Sequence, residues 1–483
     1  MSDSNREKNL SGISLNIITL NCWGLLFFSK HRRQRIQAIA SYLNEQKYDL
    51  VFLQELWVRA DFELIKQTTS SCYKFAHLFS TKSILGTSGL AILSKWEPSY
   101  ISFLPYSVNG SPFRPWHGDW FTGKGVAYAR VEIEDLRVHL FCTHMHAQYN
   151  DKEALEDQYS IHRICQSFQL GKFINMTRDL VSDVGRSSDL FILAGDLNTS
   201  PEEFPFQLLE SLTGLHNCYN HTSMHEADSG LDLSEFITCG HSDNTYSGGH
   251  FASPETNRKK KNSDNSLGKQ IDFVLYKLIN KRGCDRTLEC HQISSSEKNI
   301  RCFAEKIKCS SKDPYTGLSF SDHQPVAVRL RISKSHFCPR MSGDSISNSL
   351  NLSLDGDNSD EVPANSFIHH NEVNSIAETS RETTNLYLDR ALKLTRFYMN
   401  QNKAFKQRFT YSLIILGLFL ILFMLIAFSF YNILSFITLC FSAFVVILLL
   451  VISLMIIEIT FRYEQHGLST VIEDLNCTLM KSH

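Results

Sequence analysis

The chain has almost no net charge: 48 Lys and Arg stand against 50 Asp and Glu, giving −2. That balance excludes the global basic field that nucleic-acid binders use. Its thirteen cysteines contain no C-x-x-C pair. The N-terminal "MSDSNREKNLSG" has no apolar core or cleavage pattern, so no secretory signal is expected. The odd cysteine count and the absent signal favour reduced thiols in the cytosol over a disulfide framework. No G-x-G-x-x-G follows the first apolar segment, which argues against a Rossmann order. No internal repeat with a period of about 20 to 50 residues is visible.

The strongest absence is local. Residues 411–457 are 47 consecutive residues without one Asp, Glu, Lys or Arg. One bilayer crossing takes about 20 apolar residues. The stretch therefore reads as two spans, 411–430 and 436–457, joined near Tyr431, Asn432 and Ser435. A hairpin puts both flanks on one side. Lys393, Arg396, Lys403, Lys406 and Arg408 lie just upstream, so the positive-inside rule places both termini and the preceding domain in the cytosol. The expected membrane is the endoplasmic reticulum or another intracellular one. The sequon Asn198-Thr199-Ser200 would then never meet the lumen.

The rest divides by composition. Residues 1–11 are polar. Residues 12–332 look globular. Residues 333–384 are polar and read as a flexible linker. Residues 385–410 carry Leu386, Leu388, Leu392, Leu394 and Phe397 at mixed helical spacing, which predicts an amphipathic juxtamembrane helix. Residues 458–483 form a tail.

Within the globular part, eight short apolar runs read as strands: "LNIITLNCW", "DLVFLQEL", "GLAILS", "VAYARVEI", "VHLFCTHMH", "DLFILAGDLN", "IDFVLYK" and "PVAVRLRI". Helical spacing appears in "KHRRQRIQAIASYLNEQ" (Ile36, Ile39, Ala40, Leu43) and "DQYSIHRICQSFQLGKFI" (Ile161, Ile164, Phe168, Phe173). Sheets covered by helices predict an α/β sandwich.

Strand after strand ends in residues that bind metals or move protons. The ends carry Asn21, Gln54-Glu55, His144-Met145-His146 and Asp196-Leu197-Asn198. Asp272 sits in "IDF", and Asp322-His323 precede the last run. Such a set predicts one converging site at a sheet rim. Oxygen donors without cysteine suit a hard cation such as Mg²⁺, with Mn²⁺ as its substitute and Glu55 as the direct ligand. H-x-H alone is a weak motif, and at most one of His144 and His146 is expected to face the site. Asp196 and Asn198, two apart on an extended chain, would point the same way, toward an attacking water and a phosphate oxygen. Asp272 suits a carboxylate partner for His323, which could then take a proton from water near neutral pH. Asp322 could reach the metal through water, and His144 could stabilise the charged transition state.

"HGDWFTGKG", residues 117–125, fits the first seven positions of a P-loop. The next residue is Gly125 rather than Ser or Thr, and "GVAYARVEI" after it reads as a strand, not a helix. It is instead a flexible glycine-bounded segment holding Asp119 and Lys124. If that pair were at the surface it would contribute about 0 to 1 kcal/mol. Phe103, Tyr106, Phe113, Trp116, Trp120 and Phe121 cluster here, with Trp120 and Phe121 the expected membrane-facing residues. A choline group needs an aromatic or anionic pocket; Tyr149, Trp116 and Trp120 are the candidates.

"TLNCWG", "LQELW", "GTSGLAILSK", "THMHAQYN", "GDLN", "IDFVLYK" and "SDHQP", in that order, resemble the motifs of the endonuclease/exonuclease/phosphatase superfamily. "NCWG", "HGDWFTGKG" and "THMHAQYN", with the C-terminal double span, resemble the membrane-bound neutral sphingomyelinases, in the type with a transmembrane hairpin. The resemblance implies a DNase I-like four-layered α/β sandwich followed by that hairpin. It implies Glu55 as the Mg²⁺ ligand with Asn21 near the metal and Asp322 in its outer shell. It implies Asp196 and Asn198 flanking the scissile phosphate, His323 as base with Asp272 behind it, His144 as transition-state stabiliser, and Asp119 and Lys124 acting in the site. The activity implied is hydrolysis of sphingomyelin to ceramide and phosphocholine. A lysophospholipase C, a membrane-tethered nuclease, an inositol-polyphosphate phosphatase and a catalytically silent tether stay open as alternatives. Residues 220–270, with "RKKKNSDNS", match no motif.

Overall fold

The computed structural model describes residues 12–83, 86–110, 117–149, 159–182, 188–218, 236–246, 268–279, 298–336, 365–428 and 433–482. The chain alternates strands and helices. In order they are β1 (Ile13–Asn21), α1 (Arg32–Gln46), β2 (Leu50–Gln54), α2 (Arg59–Thr68), β3 (Phe75–Leu78), β4 (Ala91–Ser94) and β5 (Pro98–Pro105). Then come β6 (Gly125–Ile133), β7 (Leu136–His144), α3 (Ser160–Ser182), β8 (Ser188–Asp196), α4 (Phe204–Thr213) and β9 (His216–Asn217). β10 (Asp272–Ile279), β11 (Lys298–Lys306), β12 (Val326–His336), α5 (Asn365–Phe428) and α6 (Ile433–Ser482) follow.

The strands form two six-stranded sheets, ordered β11-β12-β1-β2-β4-β3 and β5-β6-β7-β8-β10-β9. The period-2 alternation of each strand decides the layers. On β1 and β2, Leu15, Ile17, Leu50 and Phe52 face the other sheet, while Ile18, Leu20, Val51 and Leu53 face α1 and α2. On β8, Leu190, Ile192 and Ala194 join the intersheet core, while Phe191 and Leu193 face the helices on the other side. The result is the expected four-layered DNase I-like sandwich. Each fully buried Leu or Ile contributes about 1.5–3 kcal/mol.

This alternation also builds the site. Asn21, His144, Asp196 and Asp272 have the intersheet parity of their strands but come after the last apolar rung. They are therefore the polar mouth of the intersheet core. Register aligns them: β7 pairs His144 with Asp196, and β10 pairs Asp272 with Asp196.

The eight strands read from sequence are all present. The four others, β3, β5, β9 and β11, are the edge strands of the two sheets.

The C-terminal part departs from expectation. The stretch read as linker, juxtamembrane helix and first span is, from Asn365, one continuous helix, α5. The second span and the tail are likewise one helix, α6. Neither contains proline, so nothing in the backbone breaks them. Two windows in these helices are long and apolar enough to cross a membrane, and they are at most 6% buried by the protein. Outside the spans the helices dock on the sandwich. Leu388, Ala391 and Leu392 of α5 and Leu468, Val471, Ile472 and Leu475 of α6 pack against Ile164, Cys165 and Phe168 of α3 and Phe204 and Leu208 of α4. A side chain at Gly467 would meet the Ser107 carbonyl at 2.4 Å, so only glycine permits this approach. Leu386 and Phe397, read as part of the apolar face, are exposed instead. The expected joint at Tyr431 and Asn432 lies outside the described residues, and β12 ends at His336 rather than residue 332.

Candidate active site

Asn21 is the link across the two sheets. Its amide nitrogen donates to Glu55 Oε1 at 3.1 Å and to Asp196 Oδ2 at 3.0 Å. Its oxygen accepts from the Trp23 backbone N–H at 3.0 Å. Asn21 thus presents a donor to two carboxylates and keeps its oxygen occupied. Glu55 follows the inward Gln54 with φ of 59°. A left-handed backbone at glutamate is strained, and here it turns the carboxylate into the mouth. Glu55 Oε2 is buried and has no hydrogen-bond partner among the described residues. Burial first, then the Asp322 carboxylate, raises the Glu55 pKa.

Asp196 and Asn198 do not share an extended chain. Asn198 has φ of 48°, and its backbone N–H donates to Asp196 Oδ1 at 2.9 Å, closing an Asx turn. The Asn198 amide donates to the Met145 carbonyl at 2.9 Å. Burial and the neighbouring Asp272 raise the Asp196 pKa.

Asp272 Oδ2 accepts from His323 Nδ1 at 2.8 Å, while Asp272 Oδ1 has no hydrogen-bond partner among the described residues. His323 Nε2 faces Asp196 Oδ2 across 4.0 Å. Burial alone would lower the His323 pKa; Asp272 overrides it, and the imidazole lies well above its ordinary value. Ligand atoms of Asp196, Asp272 and His323 all lie within 4.8 Å of one another. Asp322, beside His323, accepts from Ser321 Oγ at 3.1 Å.

His144 faces the mouth, with Nε2 3.5 Å from Asp196 Oδ2 and 3.9 Å from Glu55 Oε1. His146 points away, its ring stacked on Tyr159 at 4.0 Å. Lys124 Nζ lies 3.0 Å from His144 Nε2, 2.9 Å from the Met145 carbonyl and against Asp119. An ammonium can only donate, so His144 Nε2 accepts here. Burial, then Lys124, hold His144 well below its ordinary pKa and so neutral.

The Asp119–Lys124 pair is not a surface pair: each side chain is at most 4% exposed. The segment is ordered by a short 3₁₀ turn, Asp119–Phe121. Burial pushes the Asp119 pKa up, but His146, Lys124 and Tyr149 outweigh it and hold the carboxyl well below the usual range. Tyr149 is tied to this loop. Its hydroxyl donates to the His117 carbonyl and to Asp119, and its ring stacks on His117 at 4.0 Å. Trp120 and Phe121 are half-buried and pack edge to face at 5.1 Å rather than standing free. Tyr106 belongs to the core between the second sheet and its helices, while Phe103 packs partly against the intersheet core. Phe113 and Trp116 lie outside the described residues.

Three positioning residues escaped the sequence. Thr238, from the unplaced region, accepts from the backbone N–H groups of Ile271 (3.0 Å) and Asp272 (3.1 Å), and its carbonyl accepts from Gln324 at 2.7 Å. It thereby clamps Asp272 to the His323 loop. Arg35, 2% exposed, donates to the carbonyls of Cys22, Trp23 and Phe320 at 2.7–2.9 Å, joining the loops after Asn21 and before Asp322. His146 buttresses Asp119 from 4.0 Å. No local sequence signal marks Thr238 or Arg35, because their partners lie far away in the chain. Two-residue spacing would put His144 and His146 on one face of a strand; β7 ends at His144, and the backbone beyond it turns His146 away.

A family model described as the Endonuclease/Exonuclease/phosphatase family matches residues 18–323. Sphingomyelin phosphodiesterase 2 of Homo sapiens is 30% identical over 318 residues, covering 66% of this chain and 64% of the relative. A putative neutral sphingomyelinase of Caenorhabditis elegans is 33% identical over 342 residues, covering 68% and 69%. An inositol phosphosphingolipids phospholipase C of Schizosaccharomyces pombe is 29% identical over 333 residues, covering 66% and 68%. The chain therefore spans just under two thirds of the length of the human relative.

Proposed function

The chain belongs to the endonuclease/exonuclease/phosphatase family, in its neutral sphingomyelinase branch, and from that premise we propose that it is a Mg²⁺-dependent phosphodiesterase of the phospholipase C type that cleaves sphingomyelin to ceramide and phosphocholine. The observation that carries the reading is the Asp272–His323 pair aimed at Asp196 across 4.0 Å. That gap is too long for a direct hydrogen bond and suits a bridging water.

In this reading His323 Nε2 takes a proton from that water as its oxygen attacks phosphorus; the bond to the ceramide oxygen breaks, and that oxygen leaves with the bonding pair and takes a proton from solvent water. Asp272 fixes the Nδ1–H tautomer and stabilises the imidazolium. Asp196 orients the water, and Asn198 stands beside the phosphate. Glu55 fits a hard cation: it is a buried carboxylate whose pKa is raised by burial and then by Asp322, with one oxygen unpartnered among the described residues. Glu55 would hold the Mg²⁺, with Asp322 in its outer shell, while Asn21 orients Glu55 through its amide nitrogen. When bound, the ion would supply Lewis-acid charge stabilisation to the phosphate. Lys124 spends its three N–H groups on Asp119, Met145 and His144. To meet the phosphate it must leave one of them; if it leaves His144, the ring proton must move from Nδ1 to Nε2 before Nε2 can donate to a phosphate oxygen.

The two long apolar helices would hold the domain at a lipid surface, with the cytosolic face as the proposed side. Protease applied to the cytosolic side of intact vesicles should cleave the domain; full protection would overturn that topology.

The test offers the detergent-purified full chain labelled sphingomyelin, lysophosphatidylcholine, an inositol phosphosphingolipid, abasic DNA and an inositol phosphate, each with Mg²⁺ or EDTA. Phosphocholine release from sphingomyelin, stopped by EDTA and restored by Mg²⁺ or Mn²⁺, is expected. Turnover of DNA alone would sink the reading. Glu55→Gln should abolish the Mg²⁺ response while leaving membrane insertion intact.

A further inference from the structure

We propose that the cavity at the base of the membrane helices holds a hydrocarbon chain of the lipid substrate while its headgroup is cleaved. This rests on the reading above. The cavity, about 770 Å³, lies between the sandwich and α6. That is within the usual range of small-molecule sites, about 300–1,000 Å³. Phe103, Val108 and Trp120 line it from the sandwich, and Ile459 and Tyr463 line it from α6.

Three observations converge. The first is position. The charge-free run ends at residue 457, Glu458 is the first charge after it, and Ile459 already lines the cavity. A chain can therefore pass along α6 from the bilayer into the cavity without crossing water, which would cost about 0.8 kcal/mol per exposed CH₂. Ile459 and Tyr463 are 64% and 65% exposed, an apolar and aromatic surface at the level where a helix leaves hydrocarbon.

The second is what the polar lining does. Asn109 donates its amide to the carbonyls of Tyr106 and Lys124 at 3.3 and 3.2 Å. The Ser107 backbone N–H is taken by Gln169 at 3.1 Å. Glu464 accepts from the Tyr398 hydroxyl at 3.2 Å and faces His162 Nε2 at 3.5 Å. These three groups are committed to the protein; Ser80, Thr81 and Lys82 also line the cavity, beside an apolar wall of Phe103, Val108, Trp120 and Ile459. That wall suits an acyl or sphingoid chain, not a phosphocholine group.

The third is the connection to the chemistry. Trp120 and Gly123 line the cavity, while Asp119 and Lys124, their immediate neighbours, form the buried pair beside His144. An occupant of the cavity touches the loop that carries Lys124. This argues for the substrate's own chain over that of a bystander lipid.

Two measurements decide it. In the first, sphingomyelin with a photoreactive diazirine near its chain end is placed in vesicles with the full chain. Crosslinks should fall on the peptides around 103–110 and 459–464 and be competed by unlabelled sphingomyelin. Labelling there that other phospholipids compete and sphingomyelin does not would overturn the proposal in favour of a separate lipid. In the second, Ile459→Trp and Ser80→Trp narrow the cavity from opposite walls, both at exposed positions. The readout is the ratio of kcat/KM on long-chain sphingomyelin to that on a chainless aryl phosphocholine ester. Misfolding lowers both terms and leaves the ratio alone. The ratio should fall about tenfold in both variants; an unchanged ratio overturns the proposal. A wild-type protein that cleaves neither substrate refutes the phosphodiesterase reading itself, and this inference with it, whereas an unchanged ratio leaves that reading standing.

Discussion

Two buried histidine–aspartate pairs sit against the second sheet, one near each end of β8. At the rear, His139 Nε2 lies 3.1 Å from Asp189 Oδ1, and the His139 ring stacks on Phe191 at 4.5 Å. Tyr128 meets the other ring nitrogen at 2.8 Å, and Arg137 straddles the carboxylate at 2.8 and 2.9 Å. At the mouth, His323 meets Asp272 at 2.8 Å, but Asp272 Oδ1 has no hydrogen-bond partner among the described residues and His323 Nε2 faces a gap. The pKa directions diverge accordingly. Burial wins at His139, which is lowered. Acidic neighbours win at His323, which is raised. Residue types alone do not make a proton-moving pair. Unspent bonding capacity next to a carboxylate cluster does, and a pair with every atom satisfied is a rivet.

Swapping the damage between the two pairs tests this. His323→Ala should cost about 10²- to 10⁴-fold in kcat with little change in melting temperature. Asp189→Asn should do the opposite. Removing one partner of a buried, bonded ion pair costs about 3–5 kcal/mol of stability, while turnover per folded molecule stays near wild type. If both variants lose activity and stability together, the contrast between the pairs is wrong. Lys124→Ala comes next. It removes a cation argued to reach the phosphate, so a loss of about 10²- to 10³-fold is expected. Lys124→Arg should not restore it, because a planar fork cannot replace a point charge with three partners. Loss of folding in step with activity would make the Asp119–Lys124 pair structural.

The mouth was legible in the sequence because a polar residue at the end of an apolar run is anomalous, and strand parity then fixes its face. Asn21, His144, Asp196 and Asp272 all obeyed that rule. Edge strands were not legible: β3, β5, β9 and β11 have a neighbour on one side only and need fewer apolar residues. The burial of Asp119 and Lys124 was invisible because it depends on His146 and Tyr149 closing over them from β7 and the segment after it. The docking of α5 and α6 was missed for the same reason. Leu388, Leu392, Val471 and Leu475 meet α3 and α4 from far along the chain, and polar residues upstream disguised the start of α5 as linker. Asn198 shows a local failure. Two-residue spacing predicted a shared face, but the Asx turn changed the backbone before the second residue was reached.

The smallest effect concerns the rear pair and acid. His139, packed by Asp189, Arg137, Tyr128 and Phe191, has its pKa lowered in the folded state, so unfolding lets it take up a proton as pH drops below about 6.5. Its contribution to stability is present above that value and fades as pH falls. Asp189, also lowered, by His139 and Arg137 against its own burial, follows the same sign at more acidic pH. Glu55 and Asp196 have raised values and act in the opposite sense, since the folded protein accepts their protons more readily. The total pH profile therefore mixes signs, and only a difference between variants isolates the rear pair. His139→Gln keeps a hydrogen-bonding side chain and removes the titration. Thermal melts of the full chain in detergent from pH 7.5 to 5 should show wild type losing a few degrees relative to His139→Gln, with the gap opening near pH 6.5. Parallel curves would mean that the buried imidazole accepts its proton in the folded state, and the rear pair would then be closer to the mouth in character than its saturated hydrogen bonds imply.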